Sequence, residues 1–456
     1  MKAAPSFAFV TMGSGDFLGS TVRDLMLANA LHRRGYKVVV YWMMEINADL
    51  ADPGIEQRML CHGTRYHFAR PSVPLDRVLG RLLFMLPKRV RVRSVQGRSG
   101  YVDRLLGNLV SSLYGRPEGD PALARRLHTL LARDQVTHLM MSFASIGPLA
   151  LQAKRMGGHA FDYLLTFQGD EEFAAHATRL GLFEQFRTLV GESLRASPWP
   201  AVVVSADYAD RIVDEIKVPR ADIAVVYNGV EQAVAGTQHS FAALQAVFPG
   251  LSPHFPIVVY VGRQDVEKGI DLLLYAMRML ARRNVRAQLV VCGSTAKGIG
   301  YRKVLTDLAG HLGLPVFQAG SVTKEVRDAL FAHSHCVVYP SVNREPFGMV
   351  VAEAMAQGAP VLVPDYGGVA EVVRDGDKIG GLTFKAWDSG DLANQLERLL
   401  LDRQLHRRLV RHTRDVAARF CVDNMADDVL RHIGIVHRQP DRADADSAAA
   451  AAAATV

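Results

Sequence analysis

The stretch 343-NREPFGMVVAEAMAQGAPVLVPDYGG-368 contains a loop, an apolar helical run and a buried strand in direct succession. Apolar side chains recur at i and i+4 through the helical run, and Gly358 followed by Ala-Pro is typical of a helix end. The residues PVLVP then have the composition of a short strand buried on both faces. Glu345 stands in the loop and Glu353 in the apolar run, where a carboxylate needs a partner. The stretch therefore predicts a helix–strand repeat that carries a polar site.

The same alternation of strands and helices extends in both directions from this stretch. Helical runs separate the strand-like segments PIVVYV, AQLVVC and CVVYPS in the second half, and SFAFVT, KVVVYWM and DYLLTF in the first. Such a β-α-β series predicts parallel sheets covered by helices. Glycine, serine and proline concentrate near 231–255 and predict a linker. We expect an α/β protein with two Rossmann-like domains, residues 1–235 and 250–415, facing each other across a cleft.

The composition narrows the class of protein. The chain has 456 residues, of which 49% are hydrophobic and 22% charged, as in an ordinary globular protein. No apolar run approaches the roughly 18–20 residues that span a bilayer. The opening MKAAPSFAFVTMG has the pattern of a first strand and not of a signal peptide. The four cysteines form no C-x-x-C pair, which argues against a disulfide framework or a zinc site and fits the cytoplasm.

A net charge of +7 favours anionic partners, and a basic segment at 77–104 contributes to it. Its arginines and lysines stand among leucines and valines. Two interpretations remain open: a solvated helix pair with a basic face, or a surface for an anionic lipid or a phosphorylated acceptor. The segment lacks the interleaved aromatic residues of a nucleic-acid stacking platform, so we expect no nucleic-acid partner. The alanine-rich tail at 438–456 is low-complexity sequence and is predicted to be disordered.

The loops that follow the strands are candidate ligand sites, because parallel sheets bind ligands beyond the carboxyl ends of their strands. In 262-GRQDVEKG-269, Arg263 offers a planar fork of donors and Lys268 a mobile point charge, a pairing that suits a diphosphate. A solvated charged turn is the alternative. Gly13 and Gly15, after the first strand, bring backbone amides toward a ligand or form a plain tight turn.

The start of the helical run in the opening stretch suits a phosphate. Its first amides, from Phe347 to Val350, lack intrahelical acceptors and lie at the positive end of the helix. Gly348 allows a ligand to approach the backbone closely. For Glu345 the alternative is a structural cap of the helix, and for Glu353 it is a rim carboxylate paired with a surface base.

Together these motifs resemble the retaining nucleotide-sugar glycosyltransferases of family 4, which have the GT-B fold. The order and spacing of the motifs carry the resemblance, which covers most of the chain and is strongest at about 255–375. The motifs are Gly13-Ser-Gly15, Tyr227-Asn-Gly-Val230, Gly262-Arg263 with Lys268-Gly269, Tyr339-Pro-Ser341, Glu345-x7-Glu353 and Gly367-Gly368. The resemblance also implies that a C-terminal helix, residues 416–437, returns to pack on the N-terminal domain.

The resemblance implies a role for each matching residue. Arg263 and Lys268 are expected on the donor diphosphate, and Glu345 near the hydroxyls of the donor sugar; these three are the candidate catalytic residues. Glu353 is expected on the ribose hydroxyls, and Ser321-Val322 near the base. The remaining donor contacts are expected from Gly13, Gly15, Phe347, Gly348, Met349 and Val350. The resemblance implies no metal and no other cofactor, because basic residues and helix ends take over the role of a metal.

The implied reaction moves a sugar from a nucleotide-diphosphate sugar to a hydroxyl acceptor with retention of anomeric configuration. A UDP-sugar is favoured and a GDP-sugar is the alternative. The acceptor is expected to be a saccharide or a lipid-linked molecule in bacterial glycan or glycolipid synthesis. The enzyme is expected in the cytoplasm, either free or peripheral at the inner membrane face through residues 77–104.

One departure from the family pattern keeps other functions open. Many relatives have a histidine after the strand that corresponds to DYLLTF, whereas this chain has 166-TFQGDEEF-173. Gln168 and Asp170 are expected there as sugar or acceptor contacts, and His176 further along is expected to be a surface helix residue. Two alternatives remain: a GT-B nucleotide-sugar epimerase, or a catalytically silent nucleotide-sugar binder.

Overall fold

The first half of the chain forms a parallel sheet with helices packed around it. The computed structural model describes residues 4–13, 18–44, 46–62, 101–234, 237, 239–295 and 299–435. Within them the strands of this half are β1 Ser6–Thr11, β2 Lys37–Met44, β3 Glu56–His62, β4 His138–Met141, β5 Asp162–Phe167, β6 Ala201–Val203 and β7 Ile223–Val225. The helices are α1 Leu18–Arg33, α2 Tyr101–Tyr114, α3 Pro121–Asp134, α4 Gly147–Arg155, α5 Glu171–Arg179, α6 Phe183–Ala196 and α7 Ala206–Ile216.

The second half repeats this architecture. Its strands are β8 Ile257–Val261, β9 Gln288–Cys292, β10 Val316–Gln318, β11 Cys336–Val338, β12 Val361–Pro364, β13 Arg374–Asp375, β14 Lys378–Ile379 and β15 Gly381–Phe384. Its helices are α8 Phe241–Val247, α9 Ile270–Arg282, α10 Ile299–His311, α11 Lys324–His333, α12 Met349–Ala356, α13 Gly368–Val372, α14 Ser389–Leu401, α15 Arg403–Ala418 and α16 Val422–His432. Strands β13 and β14 form a small antiparallel pair apart from the main sheet.

Both main sheets reverse their strand order beside their first strand. The orders are β3-β2-β1-β4-β5-β6-β7 and β10-β9-β8-β11-β12-β15, and every described pairing within them is parallel. Register is continuous from Ile257↔Gln288 to Val261↔Cys292 between β8 and β9. Strands β1 and β8 are buried along their whole length, as expected for sheets with helices on both faces. The crevices beyond β1/β4 and β8/β11 are therefore where this topology binds ligands. The predicted α/β class with two Rossmann-like domains is confirmed.

The last described helix packs against the first half of the chain. Val230 forms a parallel β-bridge with Cys421, and its amide donates to the carbonyl of Phe420 at 2.7 Å. From there α16 packs on α1 and buries Met425 and Leu430 in a cluster with the strand residues of the first sheet. The chain thus crosses back over the YNGV motif at 227–230 before it reaches the first domain.

The segment predicted as a linker at 231–255 contains helix α8. Phe241, Leu244 and Phe248 follow one helical face at spacings of three and four residues, and Leu244 is fully buried. The ring of Phe241 meets His333 of α11 edge-on at a centroid distance of 5.3 Å. This apolar face outweighs the flanking glycines and prolines, so part of the segment packs on the second domain.

Some predicted features lie outside the described residues. The basic segment is described only as the backbone of 101–104, within α2, and the predicted disordered tail at 438–456 is outside altogether. Across the helices that are described, none combines the length and the apolar character needed to cross a membrane.

Substituting Gly229 with alanine tests the crossing at the YNGV motif. A Cβ at position 229 would lie 2.6 Å from the Cα of Val422, and a backbone atom cannot move aside without shifting α16. We expect Gly229→Ala to lower the free energy of unfolding in urea by about 1–3 kcal/mol. Gly19→Ala in α1, where nothing lies within 4 Å of the added carbon, is the matched control and should not destabilise. Equal stability of the two variants would refute the close crossing.

Candidate functional site

The loop between β8 and α9 carries Lys268 to the carboxyl edge of the second sheet. Lys268 ends a short 3₁₀ turn, and Gly269 after it has φ +59°, in the left-handed region. A Cβ on Gly269 would lie 2.2 Å from the carbonyl oxygen of Pro340, so only glycine allows this close approach. The loop is therefore pressed against the end of β11, where Tyr339 and Pro340 follow the strand.

Three polar side chains meet at this point. The Lys268 ammonium lies 2.7 Å from Glu345 Oε2 and 2.9 Å from Tyr339 Oη, and Tyr339 Oη donates to Glu345 Oε2 at 3.0 Å. The Lys268 and Glu345 side chains are only 11% and 20% exposed, so water screens their attraction weakly. The alternative of a structural helix cap for Glu345 does not fit, because its carboxylate binds Lys268 and Tyr339.

The pKa values of this ion pair are displaced in opposite directions. Burial alone would raise the pKa of Glu345, but the Lys268 charge and the hydrogen bonds from Lys268 and Tyr339 hold it below its ordinary value. Burial alone would lower the pKa of Lys268, but the charge of Glu345 and the contacts with Tyr339 raise it. Both groups stay charged over a wide pH range. The pair can therefore place a fixed cation and a hydroxyl-binding carboxylate side by side.

Arg263 enters the same crevice from the start of the β8–α9 loop. Its guanidinium lies 3.0 Å from Asp265 Oδ2 and 3.7 Å from Glu267 Oε2, and the side chain is 25% exposed. Below it, Gln264 is buried and donates to the carbonyls of Gly293 and Ala319 at 3.0 and 2.7 Å. These bonds fix the loop to the neighbouring strand ends, so Arg263 is held near the edge of the sheet.

Helix α12 begins beside these residues. Gly348 is its N-cap with φ +81°, and Met349 and Val350 form its first turn, whose amides have no intrahelical acceptor. Phe347 is buried, and its ring lies edge-on to Phe420 at 5.3 Å and near Tyr227 at 6.3 Å. The start of the helix is thus anchored on the segments that join the domains.

Glu353 lies on the same helix, 11% exposed, with Oε2 3.4 Å from a guanidinium nitrogen of Arg327 on α11. Burial raises its pKa, and the charge of Arg327 acts against that rise. In this structure Glu353 is therefore paired with a basic residue, which was one of the two interpretations of its sequence position. Ser321 is exposed and Val322 is half-buried, and both lie in the turn just before α11, the helix that carries Arg327.

The first domain contributes Gly13 and Gln168 from the ends of β1 and β5. The Gly13 amide donates to Thr21 Oγ1 at 3.3 Å, and its carbonyl accepts from Asn47, so this backbone is held within its own domain. The side-chain nitrogen of Gln168, Nε2, donates to the Ser142 carbonyl at 2.7 Å and to the Asp24 carboxylate at 3.1–3.2 Å. Because the Asp24 carboxylate and the Ser142 carbonyl both accept from this nitrogen, the orientation of the Gln168 side-chain amide is fixed. Gly15 lies outside the described residues.

Asp170 and His176 lie deeper than the sequence suggested. Asp170 is 3% exposed, and its carboxylate accepts from the backbone amide and hydroxyl of Ser145 and from the backbone amide of Gln168. Burial raises its pKa to about 7. The expected sugar or acceptor contact does not fit this buried position; the carboxylate instead ties the β5 loop to Ser145. His176 is 4% exposed, so the expectation of a surface residue is wrong: Gly107 of α2 packs over its ring.

The first domain also contains a buried charge pair that was not predicted from the sequence. Arg23 Nη1 lies 3.1 Å from Asp24 Oδ1, both side chains are 3% exposed, and Arg23 Nε donates to Asn228 Oδ1 at 3.2 Å. The chain Asn228–Arg23–Asp24–Gln168 links the YNGV motif to the crevice. Its signal in the sequence was the pair of adjacent charges inside the apolar helical run TVRDLMLANAL.

The chemistry of the crevice is that of an anion and hydroxyl site. Lys268, Arg263 and the first turn of α12 offer positive charge and amide donors, and Glu345 and Glu353 offer acceptors for hydroxyl groups. In the described parts of the chain, no group of three or more His, Cys, Asp and Glu side chains is arranged to hold a metal ion.

Comparison with known proteins gives this arrangement a context. Residues 248–416 match the family model of the group 1 glycosyl transferases. An uncharacterized glycosyltransferase of Methanocaldococcus jannaschii is 28% identical over 50% of this chain and 58% of its own length. A D-inositol 3-phosphate glycosyltransferase of Stackebrandtia nassauensis is 31% identical over 55% of this chain and 57% of its own. The chain thus spans little more than half the length of these relatives.

The fold is also shared. The structure of Anabaena HepE in complex with UDP and glucose superposes with a TM-score of 0.67 and 15% identity, over 95% of this chain and all of that one. The predicted GT-B arrangement of the two Rossmann-like domains is confirmed.

Removing Lys268 tests the ion pair at the centre of the site. We expect Lys268→Met to lower the free energy of unfolding at pH 7 by about 3–5 kcal/mol, because it leaves the Glu345 carboxylate buried without its counter-charge. The pair stabilises above the unfolded pKa of a glutamate, about 4.3, and its contribution is lost as pH falls through the lowered pKa of Glu345. The difference between wild type and variant should shrink in acid.

Lys303→Met is the matched control for this experiment. Lys303 also lies 2.7 Å from a carboxylate, that of Asp307, but its side chain is 76% exposed. Since water screens such a pair, the substitution should leave stability unchanged. A Lys268→Met protein as stable as the control, measured by urea unfolding, would contradict the buried pairing.

Proposed function

We propose that this chain, whose residues 248–416 match the family model of the group 1 glycosyl transferases, is a member of that family and transfers a sugar from a nucleotide-diphosphate sugar to a hydroxyl acceptor. The observation that carries the proposal is the meeting of Lys268, Tyr339 and Glu345 at the carboxyl edge of the second sheet, 2.7–3.0 Å apart. A cation for phosphate and a carboxylate for hydroxyls are adjacent there, as the leaving group and the sugar of such a donor require.

In this proposal Arg263 and Lys268 bind the donor diphosphate. Negative charge builds on the diphosphate as the glycosidic bond breaks, and two fixed cations stabilise that charge. Arg263 pairs with Asp265 and Glu267 in the protein without ligand. A diphosphate with its higher charge density competes for the same guanidinium, and the first amides of α12, from Phe347 to Val350, donate to the remaining oxygens.

The two glutamates bind hydroxyl groups. Glu345 accepts from the hydroxyls of the donor sugar, since its low pKa keeps it an acceptor at neutral pH. Glu353 accepts from the ribose hydroxyls, and the base then lies toward Ser321 and Val322. Burial raises the pKa of Glu353, and the charge of Arg327, 3.4 Å away, opposes part of that rise.

The proposed reaction retains anomeric configuration. The acceptor hydroxyl attacks from the face that the diphosphate leaves, and a phosphate oxygen takes the hydroxyl proton as the bond to the leaving group breaks. Lys268, Arg263 and the helix end supply the positive charge for this step, so we propose that it proceeds without a metal.

The acceptor binds to the first domain, beside Gln168. The side-chain nitrogen of Gln168 already donates to Asp24 and Ser142. The side chain can therefore bind a substrate hydroxyl only through its oxygen, as an acceptor. The acceptor is a saccharide or a lipid-linked molecule of bacterial glycan synthesis, and residues 77–104 bring the cytoplasmic enzyme to an anionic membrane face. UDP is the favoured nucleotide, and the UDP and glucose in the structural relative HepE support that choice.

A silent nucleotide-sugar binder is the second candidate, favoured by the glutamine at position 168. A glutamine amide does not exchange protons as a histidine does, so a function that depends on the histidine of relatives would be lost. Binding of the donor without release of its sugar to any acceptor would favour this candidate.

Thermal unfolding with UDP, GDP, ADP and CMP, each with and without EDTA, tests the donor site. A ligand at about 100 times its Kd should add nearly 2.7 kcal/mol to the stability. We expect one diphosphate, UDP first, to raise the unfolding temperature equally in both buffers. A shift abolished by EDTA would contradict the metal-independent site, and no shift with any nucleotide would contradict the proposed function.

A further inference from the structure

The N-terminus of α7, in the first domain, receives a carboxylate from the second domain. Glu371 of α13 accepts from the backbone amides of Ala206 and Asp207 at 3.0 and 2.6 Å, and from Tyr227 Oη at 3.3 Å. First-turn amides of a helix lack internal partners and carry positive charge, so an anion there is stabilised. The contact satisfies these donors across the domain boundary.

Two side chains of α7 also hold the residue that precedes Glu345. Arg344 Nε donates to Asp207 Oδ1 at 2.9 Å, and Arg211 Nη1 donates to the carbonyl of Arg344 at 3.0 Å. The same Arg211 nitrogen lies 3.2 Å from Glu171 Oε1 at the start of α5. Helix α7 of the opposite domain thus binds both the guanidinium and the backbone carbonyl of Arg344.

The backbone of Glu345 is confined on its other side as well. A Cβ on Gly367 would lie 2.9 Å from the carbonyl oxygen of Glu345 and 3.1 Å from its amide nitrogen. Gly367 precedes α13, which carries Glu371 to α7. The loop that presents Glu345 to Lys268 is therefore enclosed between α7 of one domain and the start of α13 of the other.

The ion pair between Arg344 and Asp207 contributes little to the stability by itself. Arg344 is 47% exposed and Asp207 15%, and a partly solvated pair of this kind is weak alone. Their significance is geometric, because they fix the neighbour of a carboxylate that must remain within about 3 Å of Lys268. A misplacement of about 1 Å at such a group costs rate even where binding survives.

We propose that Asp207 and Arg211 are positioning residues for Glu345, so that the orientation of this sugar-binding carboxylate depends on the contact between the two domains. The inference rests on the proposed function and adds a dependence of that site on the opposite domain. Arg263, Lys268 and the start of α12, which bind the diphosphate in the proposed function, all belong to the second domain, whereas Asp207 and Arg211 lie on α7 of the first. Nucleotide binding and sugar transfer are therefore separable by substitution in α7.

The experiment compares Asp207→Asn and Arg211→Met with the wild type. Calorimetry measures the Kd of UDP, and hydrolysis of UDP-glucose to UDP and glucose, with water as the acceptor, gives kcat and KM. Small-angle scattering gives the radius of gyration. We expect the Kd of UDP to stay within twofold, kcat to fall at least tenfold, and the radius of gyration to increase. The thermal unfolding midpoint of each variant checks that it is folded.

The matched control is Asp210→Asn on the same helix. Asp210 is 77% exposed and lies 3.8 Å from Arg220, away from the other domain, so all three readouts should equal the wild type. A charge reversal supplies the second check. Asp207→Arg combined with Arg344→Asp should regain at least fivefold in kcat over Asp207→Arg alone, which a merely structural role of Asp207 would not produce.

Each outcome decides the proposal. Variants with wild-type kcat and an unchanged radius of gyration would overturn it, as would a reversed pair without recovery. If the wild type binds no UDP and turns over no UDP-glucose, the proposed donor fails, and scattering still decides the interdomain contact. A larger radius of gyration in Asp207→Asn than in Asp210→Asn supports the contact of α7 with Arg344, and equal radii overturn it.

Discussion

The geometry of the candidate site depends on the ion pair between Lys268 and Glu345. Its members are 77 positions apart in the chain and nearly buried, so their desolvation is offset only when the contact is close and additional hydrogen bonds complete it. Tyr339 supplies those bonds from the end of β11, and the left-handed backbone at Gly269 lets the lysine reach that point. The strand end, the loop and the start of α12 are thereby fixed in relation to one another.

The segments that join the two domains support the same region. The rings of Tyr227, Phe347 and Phe420 lie within 5.3–6.3 Å of each other and bring together the YNGV motif, the start of α12 and the chain before α16. Arg419 lies over the rings of Tyr227 and Phe420. Because Phe347 is one residue from the N-cap of α12, a change at the domain joint acts directly on the helix end proposed to bind phosphate.

Much of this was predictable from local patterns. The alternation of β-branched runs and amphipathic runs determined the parallel sheets, and parallel sheets bring the loops after their strands to one edge. The sequence therefore assigned Arg263, Lys268 and Glu345 to one crevice, where the structure has them. The resemblance of the motifs added their expected roles, which remain proposals.

The remaining features depend on contacts between distant segments, which a linear pattern does not reveal. Arg327 reaches Glu353 from another helix, and α2 covers His176, which by its own helix was expected at the surface. Asp170 was assigned to a ligand from its loop position, but Ser145 binds its carboxylate inside the domain. The helix at 241–247 was hidden by its glycine-rich and proline-rich flanks. The contacts of α7 with Arg344 arise only when the two domains meet.

The most direct test of the proposed diphosphate site is calorimetric titration of the stabilising nucleoside diphosphate into wild type and Arg263→Met. Arg263 is suited to this test because its carboxylate partners, Asp265 and Glu267, belong to its own loop and are not members of the Lys268–Glu345 pair. Arg283→Met is the control, since Arg283 pairs with Glu397 at 2.6 Å at the far end of α9. We expect at least a tenfold higher Kd for Arg263→Met and an unchanged Kd for the control. Equal affinity in all three proteins would contradict a donor diphosphate bound at this loop.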